Sequence, residues 1–126
     1  MLERQQVRRI LPPLTPQPKD YVIATGEQLH RLCRHQEILH LFYAGFAANV
    51  CVLYRDYGTR AMAQRGYNVI LLRDGTCAIE ANSTLQDERL LKAAILGIEM
   101  FVGSTTTSQA LLNACKTLSG KEKGNE

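Results

Sequence analysis

Apolar and polar positions follow two different periods along this chain. "ILHLFYAG" (38–45) and "YNVILLRD" (67–74) are near-continuous apolar runs closed by glycine or aspartate, and each reads as a buried strand. "YVIAT" (21–25) and "IEMFVG" (98–103) are shorter runs of the same kind. Between the runs the period lengthens to that of a helix. Thr25 can cap a helix over 26–36, with Leu29, Leu32 and Cys33 on one face. Val50, Leu53, Tyr54, Tyr57 and Ala61 mark a second helix over 50–65, with Asn49 as its N-cap and Gly66 as its stop. Gly58 lies inside it, where close packing on a neighbour would explain it. Thr84 with Asp87, or Ser83 with Gln86, signals a third helix start. Leu90, Leu91, Ala94 and Ile95 line that helix and Gly97 ends it. A last helix carries Ala110, Leu111, Ala114, Cys115 and Leu118, with Thr106 and Gln109 as a capping pair.

Strands that alternate with helices and read as unbroken apolar runs belong to a parallel sheet covered by helices. The expected fold class is α/β: a three-layer, Rossmann-like, mostly parallel sheet of about four strands with helices on both faces. One domain over 1–120 accounts for the pattern. A short helix over 1–11 can open it. Four prolines between 12 and 18 make the rest of residues 1–20 an extended lead-in. "KEKGNE" (121–126) reads as a disordered tail.

Composition narrows the function classes. Hydrophobic residues are 45% and charged residues 21%, as in a globular domain. The net charge of +3 is dispersed among acids, as in "QDERLLK", which speaks against a nucleic-acid surface. No apolar run approaches the roughly 20 residues that span a membrane. The charged N-terminus lacks a signal-peptide apolar segment, so a cytoplasmic location is expected. Cys33, Cys51, Cys77 and Cys115 are irregularly spaced without a CxxC, against a zinc site or a disulfide framework.

Sites in open parallel sheets lie beyond the carboxyl ends of the strands. "GFAANVC", "RDGTCAIE" and "VGSTTTS" deliver residues there. If a helix starts near Val50, Cys51 lies in its first turn, among unpaired N–H groups that stabilise a thiolate and a developing oxyanion. On spacing alone Cys51 is either that nucleophile or a thiol packed under the turn. Asp74, ending a strand, either meets substrate or holds a neighbouring turn. His30, His35 and His40 are five apart, off any single helical face, so no metal site is expected. "GSTTTS" lacks a phosphate-loop lysine, and no GxGxxG is present, so no cofactor is expected. Cys33 and Cys77 read as packing residues.

"YAGFAANVCVLYRDYGTRAMAQRGYNVILLRD" resembles the isochorismatase-like cysteine hydrolases, which include nicotinamidases and N-carbamoylsarcosine amidases. Their hallmark is a strand, a G-x-A-T-N-x-C-V turn, a helix, and a G-Y-x-V strand ending in aspartate. Gly45, Ala47, Asn49, Cys51 and Val52 match the turn. Gly66, Tyr67, Val69 and Asp74 match the unit after it. The resemblance runs loosely from 12 to 112. It implies Cys51 as nucleophile, a cis peptide before Ala47, an oxyanion held by the N–H groups of Ala47 and Cys51, and a turn of Ala47, Ala48 and Asn49. It also implies a small-molecule amide or related C–N substrate, hydrolysed through a thioester.

The departures from the family pattern set a second expectation. The family's catalytic aspartate belongs to a strand that should precede everything seen here. Its lysine should follow the strand near Tyr21, where Ala24 or Thr25 stands. Ala48 replaces the threonine of the turn. A catalytically impaired relative, serving as a subunit or interaction module, is therefore the alternative. The family's sheet order of 3-2-1-4-5-6 would leave a gap beside the strand near Leu41. Such an uncovered edge favours a homo-oligomer.

Overall fold

The computed structural model describes residues 10–122. The expected helix over 1–11 lies almost wholly outside them, as does most of the expected tail. The Pro-rich lead-in is open chain apart from one 3-10 turn, Pro12–Leu14. Five helices and three strands follow. They are α1 Gly26–His35, β1 His40–Phe46, α2 Cys51–Tyr54, α3 Thr59–Gln64, β2 Asn68–Cys77, α4 Arg89–Phe101, β3 Ser104–Thr106 and α5 Ser108–Glu122. The strands form one parallel sheet in the order β1-β2-β3.

The α/β architecture is as expected, with three strands in place of about four. Residues 21–25 form no strand. Ala24 and Thr25 donate their N–H groups to the Gln28 side chain, and Thr25 accepts from the Gln28 N–H. That capping box draws the segment into the start of α1. Residues 98–101 continue α4 through Gly97, where a strand was expected. A short apolar run fits a buried helix face as well as a strand, and Ile98 is on that face. Gly97 sits mid-helix, where glycine costs about 1 kcal/mol against alanine.

The helix expected over 50–65 is two helices. Arg55 is extended (φ −62°, ψ 156°), and Gly58 N–H donates to its carbonyl (2.8 Å). A Cβ on Gly58 would lie 2.7 Å from the Val52 carbonyl oxygen, so the chain folds back onto α2 only with glycine there. The break changes the buried face. Val52 and Met62 are enclosed, while Val50 and Tyr54 face outward. The same link seats α1, because Asp56 accepts the Gly26 N–H at 2.8 Å.

Val69 and Leu71 point to one face of β2, where Leu71 packs with Val52 of α2 and Ile98 of α4. Burial pushes the Tyr43 phenol on this face well up, and its O–H donates to the Tyr57 carbonyl (2.8 Å). α5 starts over the other face. Only Leu111 of its expected stripe is half-buried; Ala110, Ala114, Cys115 and Leu118 are exposed. The sheet ends at β1, whose outer edge has no strand beside it among the described residues, and α5 is held to β2 only at its start, through Ser108 and Asp74.

The β1–β2 ladder contains the feature that shapes the site. From Tyr43↔Leu71 to Gly45↔Thr76, β1 advances two residues while β2 advances five. The extra residues of β2 bulge outward, and Thr76 and Cys77 return to pair with the end of β1.

Thr59, at the start of α3, is fully enclosed, and its hydroxyl has no partner among the described residues. Thr59→Val keeps the shape and removes the unmatched group. Unfolding free energy is expected to rise by about 1 kcal/mol. A fall in the urea midpoint would mean that the hydroxyl is held.

Candidate active site

The site is the turn that joins β1 to α2. Gly45 has φ +133°, a region open to glycine and strained for other residues. The Phe46–Ala47 peptide is cis, as the family resemblance implies. Ala47 and Ala48 are 1% and 0% exposed, so the turn is packed beneath. The Ala47 carbonyl accepts from Val50 N–H (3.0 Å) and Val52 N–H (3.1 Å), which winds the chain into α2.

The end of β2 braces this turn from outside. Ala48 N–H donates to the Cys77 carbonyl at 2.8 Å. The Thr76 hydroxyl donates to the Gly45 carbonyl at 2.7 Å. Asn49 makes a two-way clamp: its Nδ2 donates to the Ile79 carbonyl and its Oδ1 accepts the Ile79 N–H, both at 3.0 Å. Asn49 therefore ties two loops together and does not cap α2, which has no side-chain cap.

Cys51 is the first residue of α2 and is partly exposed. Neither its N–H nor that of Ala47 reaches an acceptor among the described residues. Two donors are thus left free at the turn that carries the thiol. α2 is a single turn, so the extended macrodipole expected from a helix over 50–65 is missing. Local N–H groups remain. No side chain among the described residues hydrogen-bonds to the Cys51 sulfur. Thr25, near the expected lysine position, is turned to its own helix.

The other candidates separate by geometry. Asp74 lies on the bulge of β2. Its carboxylate accepts the Ser108 hydroxyl (2.5 Å) and the Ser108 N–H (2.8 Å), anchoring the start of α5. Those bonds, the hydroxyl's first, hold Asp74 below the usual carboxylate range. Of the roles open to it, holding a neighbouring turn is the one its contacts support. The expected pair of Thr106 and Gln109 does not cap α5; Thr107 does, accepting from Ala110 N–H (3.2 Å). α4 likewise takes its cap from Glu80, whose carboxylate accepts the N–H groups of Leu90 (3.1 Å) and Leu91 (2.8 Å). Cys33 is buried, which pushes its thiol up, whereas Cys77 is exposed and not packed as expected. It faces solvent because it lies where β2 leaves the sheet. His30 bonds Tyr67 (2.7 Å) and His40 bonds Asn68 (3.2 Å), each through Nδ1. Among the described residues no His, Cys, Asp and Glu side chains converge as a metal site. No helix there is long and apolar enough to cross a membrane. Thr76 and Ile79 were not singled out by sequence reasoning. Their role depends on the β2 bulge, for which the apolar pattern carries no signal.

The family model of the isochorismatase domain matches residues 1–109. A solved structure of a cysteine hydrolase from Pseudomonas syringae pv. phaseolicola 1448A is similar in fold, with a TM-score of 0.70 and 20% sequence identity. The match covers 86% of this chain and 55% of that one, so this chain spans about half the hydrolase's length. No curated protein matches.

Two outcomes follow from the braces. Asn49→Ala removes two hydrogen bonds and is expected to lower unfolding free energy by about 1–3 kcal/mol in urea titration, with the fold retained by circular dichroism. The folded pKa of Asp74 lies below its unfolded value of about 4. Its stabilisation is therefore complete above about pH 4 and lost as pH falls through the folded pKa. Asp74→Asn is expected to flatten that acid limb in urea midpoints taken against pH, and an unchanged limb would exclude the contact as its source.

Proposed function

The chain belongs to the isochorismatase family, and on that premise we propose that it is a cysteine hydrolase that cleaves a small-molecule amide or related C–N bond through a thioester at Cys51. The observation that carries this reading is the pair of free N–H groups, Ala47 and Cys51, at the turn bearing the thiol. In the first step the thiolate attacks the carbonyl carbon. The oxyanion that forms accepts hydrogen bonds from those two donors. Collapse expels the amine with a proton and leaves the acyl group on sulfur. Water then hydrolyses the thioester to a carboxylic acid and restores the thiol. Ala47, Ala48 and Asn49 keep the donors in place. The chain works in the cytoplasm as a homo-oligomer.

A second reading has an observation of its own. No acid or amine among the described residues bonds to the Cys51 sulfur, and proton transfer by a positioned side chain is worth about 10²–10⁴ in rate. On this reading the chain is an impaired relative that serves as a subunit or interaction module.

One experiment separates the two. The protein is incubated with p-nitrophenyl acetate and a panel of small primary amides, and followed by intact mass and by ammonia release. The hydrolase reading expects an acetyl adduct mapped to Cys51, ammonia release from at least one amide, and loss of both in Cys51→Ala. An adduct at Cys51 without turnover favours the impaired relative. No adduct, or the same adduct in Cys51→Ala, sinks the thioester mechanism.

A further inference from the structure

α4 is apolar nearly all the way round: Arg89, Lys92 and Glu99 are its only charged residues. A helix of that kind is a buried helix. Its inner side is enclosed through Ile98, yet Leu96, Met100 and Phe101 are exposed, Phe101 at 81%. Beside Phe101 runs a groove of about 640 Å3 between α4 and the α2–α3 pair, with Ala93, Ala94 and Gly97 as its floor and Leu53 and Tyr54 on the far wall. A Cβ on Gly97 would meet nothing within 4 Å. Packing within the chain therefore gives no reason for a glycine in the middle of this helix.

From the pairing of a protruding phenyl ring with an unfilled small-residue groove on the same helix, we infer that two copies of this chain associate through α4, Phe101 of each entering the other's groove. A two-fold interface puts one patch against itself, so it must carry both the projection and the recess. Here they are spaced for it. Phe101 lies four residues after Gly97 and Ala93 four residues before it, so antiparallel helices crossing at Gly97 set each ring over the partner copy's Ala93. Glycine at the crossing lets the backbones approach. Phe101 and Tyr54 can each bury about 150–250 Å2. With Leu96, Met100 and the groove walls, each copy approaches the roughly 800 Å2 of a standard interface. Arg60 is the one charged residue of the groove, and its guanidinium lies over the Tyr54 ring, 5.7 Å from the centroid, so no isolated carboxylate is desolvated. The inference stands apart from the hydrolase reading, because assembly is measured without activity.

Sedimentation velocity at about 1–100 μM tests it. The wild-type chain is expected at twice its 14.1 kDa mass. Phe101→Asp, at an exposed position, is expected to fold normally by circular dichroism and sediment as a monomer. Gly97→Ala separates assembly from folding: it is expected to raise the melting temperature of the monomer, through better helix propensity, while weakening the dimer at least tenfold. A wild-type monomer across this range overturns the inference. So does a dimer that persists in Phe101→Asp, which would move the contact elsewhere, such as the open edge of β1.

Discussion

The unequal advance of β1 and β2 past one another is the constraint on which the rest of the molecule turns. Were the ladder regular, Arg73 and Asp74 would stand beside Gly45 and Phe46, and Thr76 and Cys77 would lie beyond the end of β1. The slip returns Thr76 and Cys77 to the last residues of β1. Their hydroxyl and carbonyl then take up the polar groups of Gly45 and Ala48. The bulged residues serve the same carboxyl end of the sheet, where Asp74 receives the start of α5. One irregularity thus sets both the turn before Cys51 and the start of the last helix. It leaves the donors of Ala47 and Cys51 unengaged among the described residues.

The long segment after the turn shows a second economy of placement. A helix running unbroken from Cys51 to Gln64 would aim a larger dipole at the thiol, but would carry α3 away from α1. Folding back at Gly58 gives up the dipole and brings Asp56 to the amide of Gly26. α1 is therefore attached to the turn of Cys51 through one turn of helix. Cys33 and Met62 become the enclosed residues of that corner.

Much of this was legible in the chain before any coordinates. The two long apolar runs are β1 and β2, the Thr25–Gln28 box starts α1, and the G-x-A-x-N-x-C-V pattern names the turn and its family. What escaped reading has physical causes. The run at 98–103 is apolar because α4 buries one side on the sheet and exposes the rest, and a short run does not distinguish helix from strand. The run at 21–25 has strand-forming residues, but a local capping box outcompetes pairing when no neighbouring strand is at hand. The breaks at Gly58 and in β2 come from contacts between residues distant in sequence. So do the cap from Glu80 on α4 and the anchor from Asp74 on α5, which reach across 10 and 34 residues. Local signatures could name only near partners: they proposed Thr84 or Ser83 where Glu80 caps α4, and Thr106 one residue short of Thr107, which caps α5.

The clamp between Asn49 and Ile79 has a bearing on how such a chain can vary in length. Thr76, Cys77 and Ile79 each bond to the turn, so an inserted or deleted position between them would shift the turn that carries Cys51. Past Glu80 the path to α4 is a run of mostly exposed turns from Ala81 to Glu88, tied to α4 through Arg89 and Lys92 and not to the turn of Cys51. Lineages that lengthen the domain on this side have that stretch available, and a graft or epitope placed there would leave the spacing of the Cys51 turn untouched.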